Sequence, residues 1–199
     1  MKKILIAAMF MMTCGMLNAQ LATREEQDLR FMREEEKLAN DVYETFFEKW
    51  NTIPFKNIKK AERVHMKLIK DLLVQYKVTD PLEGIENTRG KFHSAPFDTM
   101  YARLVATGAF SVQEAYKSGA LIEEMDIRDL KIRYEATQEA PIRNTYTLLR
   151  QASENHLRAF VRNLKRLGVD YTPQVLSRED FDNITGKSNT GRGQGRRRS

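Results

Sequence analysis

The chain has 199 residues, 41% of them hydrophobic and 30% charged, with 10 glycines and 5 prolines. That length supports one domain with a sizeable core, and the composition excludes both a disordered chain and a membrane-embedded one. The formal charge of +6 sits at the ends, in Lys2 and Lys3 and in Lys187, Arg192, Arg196, Arg197 and Arg198, where no acid occurs, so residues 20–185 are close to neutral.

The first nineteen residues, MKKILIAAMFMMTCGMLNA, carry two lysines, an apolar run and a small residue at Ala19. This is the layout of a secretory signal peptide and is short for a membrane span. Cleavage after Ala19 predicts a periplasmic or extracellular protein without cysteine. Cys14 would be the thiol of a lipoprotein anchor, but Met11, Met12 and Thr13 make a poor lipobox. Intracellular nucleic acid is then no partner.

Four long helices follow. The first spans about Thr23 to Trp50, with Thr23 as cap and Glu25 and Glu26 favouring its positive end. The second lies between about Pro54 and Tyr76. About thirty-five residues then intervene, with the turn-rich DPLEGIENTRG and a short helix at APFDTMYARLVATG. The third long helix runs from about Ser111, a cap, to Thr137; the fourth opens at Pro141 and stops at Gly168. Short connections within each pair and a long crossover between pairs predict an all-α, ferritin-like four-helix bundle. VDYTPQVLSREDFDNI should pack outside it, completing a domain over 20–185. GKSNTGRGQGRRRS, residues 186–199, lacks apolar residues and is expected to be a disordered basic tail.

Each long helix turns an acid or a histidine toward its own apolar stripe. Glu36 lies between Met32 and Ala39; Glu62 and His65 share a face with Ile58 and Ile69. Glu123 and Asp126 align with Ile122 and Leu130, and His156 with Leu149 and Phe160. An unpaired buried carboxylate costs several kcal/mol, on the order of a whole protein's margin of stability. Carboxylates and imidazoles at one level suit a pair of iron or manganese ions better than calcium or magnesium, which favour oxygen alone. A single E-x-x-H is usually a solvated pair, and a single buried histidine usually belongs to the core. Here two of only three histidines fall mid-helix opposite acids, whereas His93 lies in the crossover and reads as surface.

The stretches REEEKLANDVYETFFEKW, AERVHMKLIKDLL, GALIEEMDIRDL and ASENHLRAFVRNL resemble the ferritin-like superfamily. Within it they resemble the bacterial family known only as domain of unknown function 2202, over about residues 27–180. The resemblance implies a carboxylate-bridged di-iron or related dimetal site, with manganese or a mixed pair as variants, and no settled activity. Its ligand positions match Glu36, with Glu35 as fallback, then Glu62 and His65, then Glu123 rather than Glu124, and His156. Ser153 stands where a second E-x-x-H has its glutamate. Glu154 is about 100° away around the helix, and Asp126 is the nearer substitute. The second nitrogens of both imidazoles should be held by nearby acids, and Tyr43 reads as a core tyrosine near the site.

Three functions follow as expectations. The first is an exported dimetal oxidoreductase acting on O2 or peroxide as ferroxidase, peroxidase or oxidase. The second is a metal-binding or storage module without turnover, and the third an interaction protein whose basic tail contacts anionic surfaces. A homodimer is left open. A hollow ferritin-type shell is not expected, given the elaborated crossover and the long segment after the fourth helix.

Overall fold

The computed structural model describes residues 21–186, which form six helices and no strand. They are α1 (Thr23–Trp50), α2 (Ile53–Gln75), α3 (Ala95–Gly108), α4 (Val112–Ala136), α5 (Ala140–Arg166) and α6 (Arg178–Gly186). The signal peptide expected over 1–19 and all of the basic tail except Gly186 lie outside the described residues; Gly186 itself closes α6.

Local chemistry sets the helix ends. Ala22, not Thr23, is the first cap, and it is Glu25 that satisfies the end, accepting the Ala22 N–H at 3.1 Å. Asn51, at φ +47°, terminates α1 and donates its N–H to Phe47 O at 2.8 Å. Pro54, Pro96 and Pro141 occupy the first turns of α2, α3 and α5, where no intrahelical N–H is needed. Ser111 caps α4 by accepting the Glu114 N–H at 3.1 Å. Gly168 leaves α5 at φ +74°, a conformation that glycine adopts without a Cβ penalty.

The long helices pair as α1 with α2 and α4 with α5, and the pairs meet through α1–α4 and α2–α5. Two apolar clusters fill the interior at different heights. One gathers Val42, Tyr43, Phe46, Phe55, Tyr116, Phe160 and Leu164. The other gathers Leu29, Met32, Ile69, Leu72, Leu130, Tyr146 and Leu149. Gly119 lets α4 approach α5, since a Cβ there would lie 2.7 Å from the Phe160 ring. Glu36, Glu62, His65, Glu123 and Asp126 are all buried between the clusters.

Three of the four grooves between the long helices are covered. The crossover lies over α1–α2, held by two fully buried cations. The Arg33 guanidinium donates to Asp80 (3.1 Å), Glu86 (2.7 Å) and Met66 O (3.2 Å). Lys37 pairs with Asp41, donates to Thr88 O at 2.9 Å and lies over the Phe92 ring. Helix α3 packs on both α1 and α4. The segment after α5 covers α4–α5, tied down by Glu124. That carboxylate accepts Tyr171 OH at 2.5 Å and the backbone N–H groups of Gln174, Val175 and Leu176 at 2.9–3.0 Å. Nothing among the described residues covers α2–α5.

Candidate metal centre

Helix spacing brings the site together. On α2, Glu62 and His65 are three residues apart and therefore neighbours on one face. His65 Nδ1 lies 2.8 Å from Glu62 Oε2 and 3.2 Å from Glu36 Oε2 of α1. The other Glu62 oxygen, Oε1, lies 3.0 Å from His156 Nδ1 of α5, which is 3.5 Å from Glu123 Oε1 of α4. Two triads result, Glu36–Glu62–His65 and Glu62–Glu123–His156, each with ligand atoms within 4.8 Å of one another. They share Glu62, one oxygen to each side. The imidazoles stand nearly parallel, with ring centroids 5.8 Å apart.

The donor set is short of partners. Glu36 Oε1, Glu62 Oε1, Asp126 Oδ1 and His156 Nδ1 are buried without a hydrogen-bond partner among the described residues. Glu62 Oε1 and His156 Nδ1 are close but not aligned as donor and acceptor. Buried polar atoms in native proteins are nearly always satisfied, so the three orphans that belong to the triads leave room for a further ligand. Oxygen and imidazole nitrogen from four helices fit a pair of divalent transition-metal ions.

Electrostatics point the same way. Burial alone would lower the His65 imidazole, but Glu62 and Glu36 overcome it and push it up to about 12. His156 is pushed up to about 10 by Glu123 and Glu62 against burial. Burial raises Glu36 to about 7 despite His65, and it raises Glu123 despite His156. Asp126 is raised well above its usual range by burial and by the charges of Glu36 and Glu35. Only Glu62 falls well below the carboxylate range, because the two imidazoles outweigh its burial. Without metal, the site is held by protons.

The other residues singled out in the sequence fall into place around these triads. Asp126 is buried beside them but belongs to neither; the Ser153 hydroxyl, standing where a glutamate was sought, lies within hydrogen-bond reach of both Asp126 and Leu149 O, and its single proton serves one of them at a time. Glu35 is buried too, yet faces Asp129 and Arg133 and not the triads. Glu124 anchors the outer segment. Glu154 is half-buried and pairs with Arg150. Tyr43 is more than core, since its OH donates to Glu123 Oε1 at 2.6 Å. His93 is exposed. Acids do not hold the second imidazole nitrogens: neither Nε2 meets a partner among the described residues, and neither is a buried unsatisfied atom, so both edges look out on solvent. The two fully buried cations, Arg33 and Lys37, carried no mark in the sequence that separates them from surface charge.

Three comparisons with known proteins bear on the chain. The profile of a family described as an uncharacterized protein domain (DUF2202) matches residues 25–188. The chain is also similar to an uncharacterized protein, MJ0754, of Methanocaldococcus jannaschii, being 42% identical over 176 residues, 88% of this chain and 94% of that one. The crystal structure of that hypothetical protein superposes with a TM-score of 0.81 over 84% of this chain and 95% of its own.

Proposed function

The chain belongs to the DUF2202 family, and on that premise we propose that it is a ferritin-like four-helix-bundle protein that holds two divalent transition-metal ions, iron foremost, for redox chemistry with O2 or peroxide. The observation that carries the reading is the sharing of Glu62 by two triads, one oxygen directed to each. His65 and Glu36 would complete one position, and His156 and Glu123 the other. When bound, an iron pair supplies two electrons to a small oxidant.

This chain's own groups do the remainder. With all four ionised, Glu36, Glu62, Glu123 and Asp126 would carry four negative charges, which two divalent cations would balance with the imidazoles neutral. Tyr43 orients Glu123 through its 2.6 Å bond. Ser153 holds Asp126 with one oxygen free, so that Asp126 stands in reserve as a further oxygen donor. The aromatic cluster of Tyr43, Phe55, Tyr116 and Phe160 keeps water from one side.

Purified protein loaded anaerobically with Fe(II) and then exposed to O2 or H2O2 tests the reading. Two irons per chain and oxidation at least tenfold faster than in buffer are expected. Binding without accelerated oxidation would reduce the function to metal storage, and absence of binding would refute both. Export after cleavage near Ala19 remains part of the proposal, and N-terminal sequencing of the mature protein checks it.

A further inference from the structure

The two imidazoles occupy the groove that no described residue outside α2 and α5 covers. The crossover lies over α1–α2, α3 over α1–α4, and the segment after α5 over α4–α5. Along α2–α5 no described residue outside these two helices lies over the groove. Three of the residues flanking the histidines there are small, with Leu68, one turn after His65, the larger one: Ala61 lies one turn before His65, Ala152 one turn before His156, and Ala159 just beyond it. All three are half-buried. Each histidine turns Nδ1 inward to the carboxylates, which leaves Nε2 on the outer edge of the ring. Side-chain exposure is 8% for His65 and 12% for His156, against 1–3% for Glu36, Glu62 and Glu123. The inner wall of the site is thus closed, and only its imidazole edges touch solvent.

From this arrangement we infer that the α2–α5 seam, between Ala61 on one side and Ala152 and Ala159 on the other, is the window through which metal ions enter and leave the centre. The inference rests on the reading of the triads as a metal centre. Carboxylate oxygens lie immediately behind the rings, so an ion passing between the imidazoles meets Glu62 first, the residue common to both positions. Swinging the two rings apart breaks no protein hydrogen bond at Nε2. The obvious rival is the trough of about 830 Å³ between α1, α2 and the crossover, lined by Asn40, Arg63, Met66, Lys67 and Glu86. Its floor residues Asn40 and Met66 are as buried as His65 and neither belongs to the triads, and its rim charges are paired: Lys67 with Asp71, Lys70 with Glu86 and Arg63 with Glu44.

The experiment measures rates and not activity. Co(II) association is followed by stopped-flow absorbance on the full chain, and release is followed into excess chelator. Filling the window with Ala61→Leu or Ala152→Leu should slow both rates at least tenfold while the ratio, and hence Kd, changes less than threefold. Leu68→Ala, on the same side of α2, should speed both. Lys67→Leu, in the trough, should change neither. Circular dichroism establishes that each variant folds, and Leu68→Ala carries the test should the bulky variants fail to. Unaltered rates in the folded window variants, or slowing only by Lys67→Leu, would overturn the window and leave the metal centre standing. A wild-type chain that takes up no Co(II) or Zn(II) would remove the centre itself, and the window with it.

Discussion

Replacing the shared carboxylate tests the site most directly. Glu62→Gln keeps the size of the side chain and removes its charge. In the metal-free protein it strips the common counter-ion from two imidazoles whose centroids are 5.8 Å apart. Breaking one partner of a buried charge pair costs on the order of 3–5 kcal/mol. For a domain of this size about 1 kcal/mol moves Tm by roughly 2–4 °C, so the metal-free variant should melt on the order of 10 °C lower. The response to metal is the sharper measurement. A ligand at about 1,000 times its Kd stabilises by about 4 kcal/mol, or roughly 8–16 °C. Wild type should show a shift of that order with Zn(II) or Mn(II) in a thermal melt. Glu62→Gln should lose nearly all of it, because both positions lose a ligand. Glu154→Gln, whose carboxylate faces Arg150 and the outer surface, should retain it. A full metal-induced shift in Glu62→Gln would refute the shared-carboxylate geometry.

Three further outcomes are expected. In metal-free protein, Glu36 is raised to about 7, so its contribution is whole below about pH 4.5 and lost as pH rises through 7. The imidazoles, raised to about 12 and about 10, contribute fully below about pH 6.5 and lose that contribution above it. Metal displaces those protons, so the Tm gap between loaded and metal-free protein should widen from pH 5.5 to pH 8; a constant gap would contradict protons as the metal's competitor. Ser153→Ala removes the hydroxyl donor of Asp126 and should destabilise metal-free protein by about 1–3 kcal/mol, read by urea denaturation. Glu124→Ala should raise amide exchange across 171–186 and cost about 2–4 kcal/mol, while metal stoichiometry stays as in wild type, because Glu124 anchors the outer segment and ligates nothing.

The triad residues could be found from sequence because each interrupts an apolar stripe, and a stripe states which way a residue points. Helix ends were similarly legible through Pro54, Ser111, Pro141 and Gly168. The stretch Arg33–Asp41 was not. As a charge run it reads as a solvated face, yet Arg33, Glu34, Glu35, Glu36, Lys37 and Asp41 are all buried. The reason is that over this stretch α1 is packed on every side, by α2, α3, α4 and the crossover, so that no direction around its middle reaches water. The three consecutive glutamates consequently have three environments: Glu34 accepts from Ser94, Glu35 faces Asp129, and Glu36 meets His65. Periodicity separates their directions by about 100° each, but the partners lie in elements whose placement no local pattern encodes. The same holds for Glu123 and Glu124, adjacent and both buried, one toward the triads and the other toward the outer segment.

This difference in partners separates structural charges from those that await an ion. Arg33 meets two acids and a carbonyl, Lys37 an acid and a carbonyl, and Glu124 a hydroxyl and three backbone amides; each buried charge is answered by fixed groups of opposite polarity. At the triads the count does not close. Three carboxylates face two imidazoles with Asp126 buried beside them, and beyond the hydroxyls of Tyr43 and Ser153 their remaining charge is met by protons. Arg33, Lys37 and Glu124 are answered by the chain's own side chains and backbone, whereas two neighbouring triads leave donor atoms open, as a site for two exchangeable cations requires. Metal-free protein in which Glu36 and Asp126 are ionised at pH 5.5, below the value of about 7 for Glu36, as seen by carboxyl carbon chemical shifts, would break that argument, since the charge would then be tolerated without protons or ions.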